Sequence, residues 1–437
     1  MRRADWRTTL RRPAFPRLAL TYAVNELGDW MGLVALSVLV WDRTGSPAAT
    51  TALFIGMGFV PALVAPALAT RAEQSPPRFA LPVIYCVSAA AFGVLALIAD
   101  HASIGLIVVF AAIDAALGIA GRSITRSVVA AILEPHGELR TGNAVLNVAF
   151  TVGVTVGPAF AGLVVAGVGV QSALLLDAAS FFVIAGVLLT AGSLPKVEPE
   201  EGGTRERLRA GIAYVRGTTT LRQLLLAQSG AFVFFSAVLP IEVIYVKETL
   251  GAGDAGYGLM LACWGLGMLI GGLLFARLNS GSIPRLLFWS TFAIGLGYLL
   301  LAAAPTLAFA CAASVIGGAG NGVQWVSAIS AVQELTASSM QTRVMSILES
   351  SNAAMPGLGF LLGGLTTGAF DPRVTFLVAG LGVLVIIALA TPVLGASWPP
   401  GRENSKTDEG DAGAEIMVEL IPVGGRPPTR SNSEVRP

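Results

Sequence analysis

Charge is scarce in this chain of 437 residues. Asp, Glu, Lys and Arg make up 13% of it, about half the share of a soluble domain, while 54% is hydrophobic and the mean hydropathy is +0.72. So little charge cannot cover a water-facing surface, which excludes an ordinary soluble protein. Histidine is confined to His101 and His136, and cysteine to Cys86, Cys263 and Cys311. That leaves no metal-ligand cluster, no cofactor motif and no disulfide framework. The thiols sit in apolar runs and read as small hydrophobes. No Gly-x-x-x-x-Gly-Lys-Ser/Thr loop occurs to cradle ATP. Neither histidine lies near a polar span centre, so an integral membrane enzyme would need a buried acid as its base and remains a remote alternative.

What is there is a row of twelve long apolar stretches. A bilayer core about 30 Å thick takes roughly 20 apolar residues per helix. The runs predict spans at 18–41, 48–70, 80–99, 103–126, 142–167, 172–194, 222–246, 255–276, 285–304, 307–330, 344–368 and 374–395. The predicted class is therefore an all-α membrane protein, two bundles of six helices each. Arg11-Arg12 loosely suggests an export signal. The first run is too long for one, holds Asn25, Glu26 and Asp29, and has no small-residue cleavage site, so it reads as a retained helix.

Basic residues mark every second gap. Arg2, Arg3, Arg7, Arg11, Arg12 and Arg17 precede span 1, and Arg71, Arg78, Arg140, Arg277, Arg285 and Arg343 fall in even gaps. The odd gaps hold only Arg43, Lys247 and Arg373. This positive-inside pattern predicts both termini on the cytoplasmic side. The net charge of +1 therefore says nothing about nucleic acid, and none is expected as a partner; the positive charge is spread over one membrane face, where it meets anionic lipid. Alanine, glycine and arginine usage points to a bacterium with a GC-rich genome, hence its cytoplasmic membrane.

A basic start at 1–17 leads into a first bundle at 18–194. The stretch 195–221 is the longest polar interruption between spans and reads as a cytoplasmic linker. The second bundle follows at 222–395, and 396–437, rich in Pro, Gly, Asp, Glu and Ser, reads as a disordered cytoplasmic tail. The halves match weakly at an offset of about 200–207 residues, a spacing suited to duplicated transporter halves. Ala67-Leu68-Ala69-Thr70-Arg71 answers Leu273-Leu274-Phe275-Ala276-Arg277, and Gly157-Pro158-Ala159-Phe160-Ala161-Gly162 answers Gly359-Phe360-Leu361-Leu362-Gly363-Gly364.

With those pieces go Leu27-Gly28-Asp29-Trp30, Thr44-Gly45-Ser46-Pro47, Gly142-Asn143-Ala144, Asp177-Ala178-Ala179-Ser180-Phe181-Phe182, Lys247-Glu248-Thr249-Leu250-Gly251-Ala252, Gln333 and Arg343-Val344. In this order, over about 18–395, the sequence resembles the major facilitator superfamily, and in detail its drug-exporter branch with macrolide and siderophore exporters. Gly153, Gly157, Pro158 and Gly162 in span 5 resemble that branch's antiporter signature. The resemblance implies glycines that let helix 5 pack on a helix of the other half, with a bend at the proline; ordinary small-residue packing is the plainer alternative. The superfamily's gating loop departs here: Arg71 survives, Thr70 replaces the acid, and the second copy at Arg277 also lacks it. Glu73, Glu134 or Glu138 are the available substitutes, and topology marking alone would equally explain both arginines.

Charges inside spans are costly and need a reason. Glu26 and Asp29 are three apart and share a helix face, where a carboxylate can take up a proton or attract a cation. Asp114 falls where relatives carry an arginine, on a row with Gly118, Arg122 and Arg126; the two arginines read as snorkelling to the cytoplasmic surface. Glu242, after Pro240, and Glu349 are further acids expected at the central cavity. Asp177 reads as structural. Asn25, Gln228, Asn321, Gln324 and Trp325 are cavity candidates, or else interhelical glue. The reading is a monomeric secondary transporter, exporting a lipophilic drug, antibiotic or siderophore in exchange for protons. A solute importer or a lysolipid flippase on the same fold is the alternative.

Overall fold

The computed structural model describes residues 6–73, 75–192, 194–195, 204–277, 282–337 and 340–398. Arg2, Arg3, residues 196–203 of the expected linker and 399–437 of the expected tail lie outside them. Twelve long helices follow one another: α1 Phe15–Thr44, α2 Pro47–Glu73, α3 Pro77–Ile98, α4 Ile104–Leu133, α5 Leu139–Val168, α6 Val170–Leu189, α7 Thr219–Thr249, α8 Gly253–Arg277, α9 Ile283–Ala303, α10 Leu307–Leu335, α11 Gln341–Ala369 and α12 Pro372–Ser397. A short turn, Trp6–Thr9, precedes them, and a linker helix, Thr204–Gly217, joins α6 to α7. No strand occurs among the described residues. In eleven of the twelve a stretch is long and apolar enough to cross a membrane. The other, α11, is diluted by Arg343, Glu349, Ser350, Ser351 and Asn352.

Local chemistry sets the helix ends. Gly45 takes the left-handed conformation (φ 55°) that closes α1 and returns its N–H to Trp41 O, and Pro47 opens α2. The side chains of Ser103, Thr306 and Asp371 cap the first turns of α4, α10 and α12. Arg43 reaches from the end of α1 to the last carbonyls of the α3 region, Ala99 O at 2.7 Å and Ala102 O at 2.6 Å. It thus acts as a helix-end cap.

The helices pack as two bundles of six. In the first, α3 packs on α6, α2 on α4 and α1 on α5; in the second, α9 on α12, α8 on α10 and α7 on α11. The pairings repeat with the offset visible in the sequence. Two seams join the bundles, α5 with α8 and α2 with α11, and these also exchange under the repeat. Call the end bearing the chain start and the linker helix the near end. The seams run from mid-helix to the far end. Gly58 lies against Phe360 and Gly364 against Thr51, and the rings of Phe54 and Phe360 stack edge-on at 5.6 Å. Beyond them Lys247 bridges Asp42 (2.5 Å) and Asp254 (2.7 Å), and Trp41 Nε1 donates to Glu248 at 3.2 Å. Toward the near end Asn147, Trp325 and Glu349 are exposed, so the bundles part there.

Candidate functional site

Helix α1 brings Asn25, Glu26 and Asp29 to the middle of the first bundle. Arg122 of α4 pairs with the Asp29 carboxylate, which also accepts from Asn25 Nδ2 at 3.1 Å. Arg122 therefore does not snorkel: its guanidinium lies beside Gly118, one turn toward the far end, 3.6 Å from where a Cβ on that glycine would stand. A row read as surface anchoring carries an interior cation, and Arg122 is the candidate site residue the sequence reading set aside. The signal was its i, i+4 spacing behind Gly118. Arg126 instead donates to Tyr22 OH at 3.0 Å.

The pair is inside the bundle yet reachable, with side chains 30% (Arg122) and 26% (Asp29) exposed. Glu26 is buried, with Oε1 unpaired among the described residues. Behind it, Asp114 and Asp177 are buried too, each with one unpaired oxygen. The Asp177 carboxylate sits against Gly28 and Gly32 of α1 and accepts from Ser180 at 3.4 Å.

The glycine motif of α5 faces two ways. Gly153 lies on Glu26, and Gly157 on Trp30, so these two hold α5 to α1 within the first bundle. Pro158 and Gly162 face the other bundle. A Cβ on Gly162 would stand 2.9 Å from Gly258 Cα, and one on Gly258 would strike Pro158 O. Gly265 is likewise pressed on the Val154–Thr155 backbone. Side-chain-free contact of this kind is how helices approach closely in a membrane. One motif thus ties the acid-bearing helix to the seam between bundles.

In the second bundle, Gln324 Nε2 donates to Gln228 Oε1 at 2.6 Å. Gln228, Asn321, Gln324 and Trp325 line one hollow with Phe232 and Phe235, and Glu349 and Asn352 join Gln228 and Trp325 in the next. Asn25 belongs to the other bundle, beside Asp29. Glu242 lines neither hollow. Pro240 forces a 3-10 turn at Leu239–Ile241, and Glu242 follows it in the far half of α7, buried. The expectation that it faces the central cavity is corrected.

Arg71 and Arg277 end α2 and α8, exposed and without an ion-pair partner among the described residues; the side chains of Thr70 and Glu73 lie outside those described. Glu138 is engaged elsewhere. It accepts from Arg12 at 2.9 and 2.5 Å, which holds its carboxyl below the usual range and fixes the N-terminal segment to the start of α5.

Two repeated six-helix bundles that meet at one end, part at the other and flank an interior ion pair define a polytopic membrane transporter. Residues 224–431 match the family model described as Major Facilitator Superfamily. Over 419 residues the chain is 27% identical to the "Multidrug efflux pump Tap" of Mycobacterium tuberculosis, covering 89% of this chain and 95% of that protein. It is 29% identical over 295 residues to the "Uncharacterized MFS-type transporter y4rN" of Sinorhizobium fredii, covering 65% of this chain and 68% of that one. Among solved structures, the nucleoside transporter NupG shares the fold with a TM-score of 0.71 at 13% identity, over 88% of this chain and all (100%) of that one. A bacterial homologue of the lysosomal transporter Spinster, inward-facing and unoccupied, gives 0.70 at 13% identity, over 91% of this chain and 100% of its own. In sequence over its second half, and in fold over most of its length, the chain is similar to transporters of the major facilitator superfamily.

Proposed function

We propose that this transporter is a proton-coupled exporter of lipophilic small molecules, working by alternating access in a bacterial cytoplasmic membrane. The observation that carries the reading is the Asp29–Arg122 pair, a quarter to a third exposed inside a membrane bundle. The full-length likeness to a multidrug efflux pump supports export. The arginine bias makes the near end cytoplasmic, so the bundles here are parted toward the cytoplasm.

In that state ionised Asp29 holds Arg122 after its proton has left to the cytoplasm. A drug-sized molecule enters between the bundles, its apolar surface against Phe232, Phe235 and Trp325 and its polar groups against Gln228, Asn321 and Gln324. The bundles rock, the far end opens, and a proton from outside adds to the Asp29 carboxylate. Arg122 then loses its counter-charge and the site its hold on the substrate. Glu26, one turn nearer the cytoplasm, assists, with Asp114 the next candidate.

Import on the same fold is the second reading, favoured by the likeness to a nucleoside transporter. Expression in a host stripped of its own pumps separates the two. Export predicts lower accumulation of at least one lipophilic drug, with the difference abolished by an uncoupler. Higher accumulation of a solute identifies an importer.

A further inference from the structure

Glu242 is a buried acid of α7 that neither hollow uses. It lies between two breaks in the helix, the 3-10 turn Leu239–Ile241 and a π-turn at Tyr245–Thr249. Backbone irregularities of this kind mark hinges and functional positions in helices. The segment sits in the far-end seam, where Leu239–Ile241 packs on α2 and α11, and Glu242–Ile244 on α1. The π-turn then presents Lys247 to Asp42 and Glu248 to Trp41, both on α1 of the opposite bundle.

The surroundings of Glu242 hold no compensating charge. Residues 30–41 of α1, 47–60 of α2 and 350–369 of α11, which face this segment, contain no titratable acid or base. Tyr257 of α8 and Tyr298 of α9 are the titratable groups nearby, both buried. The Tyr257 hydroxyl has no hydrogen bond among the described residues, while that of Tyr298 is spent on Phe235 O at 3.2 Å. On α7 itself Tyr245 donates to Leu301 O at 2.6 Å, and Lys247 is committed to two carboxylates. Arg373 of α12 is bonded to Ala302 O at 2.9 Å. No cation pairs with Glu242 among the described residues.

We infer that Glu242 is a proton-binding site of the far-end gate, loaded while the seam is open and closed over in its neutral form. An ionised carboxylate shut away without a cation is heavily penalised, so the closed seam accepts the protonated group and rejects the ionised one. Low pH outside then closes the far end and returns the transporter to the state that takes up substrate. The inference rests on the proton-coupled reading but names a different carboxyl from the coupling acid.

The test reads the gate directly. Spin labels replace His101 and Pro305, exposed far-end positions in different bundles, in a chain whose three cysteines are serine. Distances are recorded in nanodiscs across pH. The parent is expected to populate a longer far-end distance as pH rises, Glu242→Gln to stay short throughout, and Glu242→Asp to restore the response. A parent insensitive to pH, or Glu242→Gln with the parent's response, overturns the inference. Asp29→Asn measured alongside keeps the readings apart: it loses proton-driven transport while its gate still answers to pH. Should Asp29→Asn transport normally, the coupling acid is wrong, and the gate result stands by itself.

Discussion

At the scale of single residues, Asp29 and Arg122 constrain each other. Each alone costs about 2.5–3.5 kcal/mol to place at mid-membrane on insertion scales, so each makes the other tolerable. Asp29→Asn keeps the shape of the protonated form. It strands the Arg122 cation, so it is expected to lose some stability, to hold substrate only weakly and not to accumulate it against a gradient. Arg122→Gln strands a carboxylate and is expected to lower stability by up to about 3 kcal/mol. The double variant recovers the stability without the coupling, as melting and vesicle transport would register. Arg43→Ala uncaps the α3 end and is expected to cost about 1 kcal/mol with transport retained, seen as a lower Tm. The Arg12–Glu138 pair gives a pH signature. Because the folded carboxyl is held below its ordinary 4.5, its stabilisation is present above that pH and lost as pH falls through the lowered value. Glu138→Gln should therefore lower Tm at pH 7, by an amount that shrinks as pH falls below 4.5.

Among elements, α5 and α7 decide how the bundles meet. Gly258 has the Pro158 carbonyl where a side chain would begin, whereas Gly167 has nothing within 4 Å. Gly258→Val is expected to abolish transport by prising α5 from α8, and Gly167→Val to leave it intact, both assayed by drug accumulation in cells at matched expression. The glycine motif was legible because small residues at helical spacing announce close packing. Its division between α1 and α8 was not, since periodicity shows a face without naming what covers it. The same limit hid Arg122: the row Asp114, Gly118, Arg122 is visible in sequence, but the carboxylate meeting it is 93 positions away. Pro240 marked a break in α7, yet the π-turn behind it has no sequence signature. It arises where Lys247 and Glu248 both find partners on α1.

For the whole molecule, twelve apolar runs and a repeat were enough to read the architecture, because a bilayer admits few other solutions for such a chain. Most helices extend a turn or less beyond the expected spans, and α4 about two, running to Leu133 because Ser127–Leu133 continues its apolar face. Which end is open was not legible, since both seams are drawn from small residues found all along the chain. The proposed topology, with the near end cytoplasmic, rests on the arginine bias. Cysteines placed in the linker helix are expected to resist a membrane-impermeant reagent added outside intact cells, and labelling there would reverse the orientation. The central claim, outward drug movement exchanged for protons at Asp29, is tested most directly in inside-out vesicles with an imposed acid interior. Parent protein is expected to drive a lipophilic drug into the vesicles and to consume the pH gradient as it does so, with Asp29→Asn doing neither. Uptake that survives an uncoupler, or that proceeds unchanged in Asp29→Asn, would contradict the account.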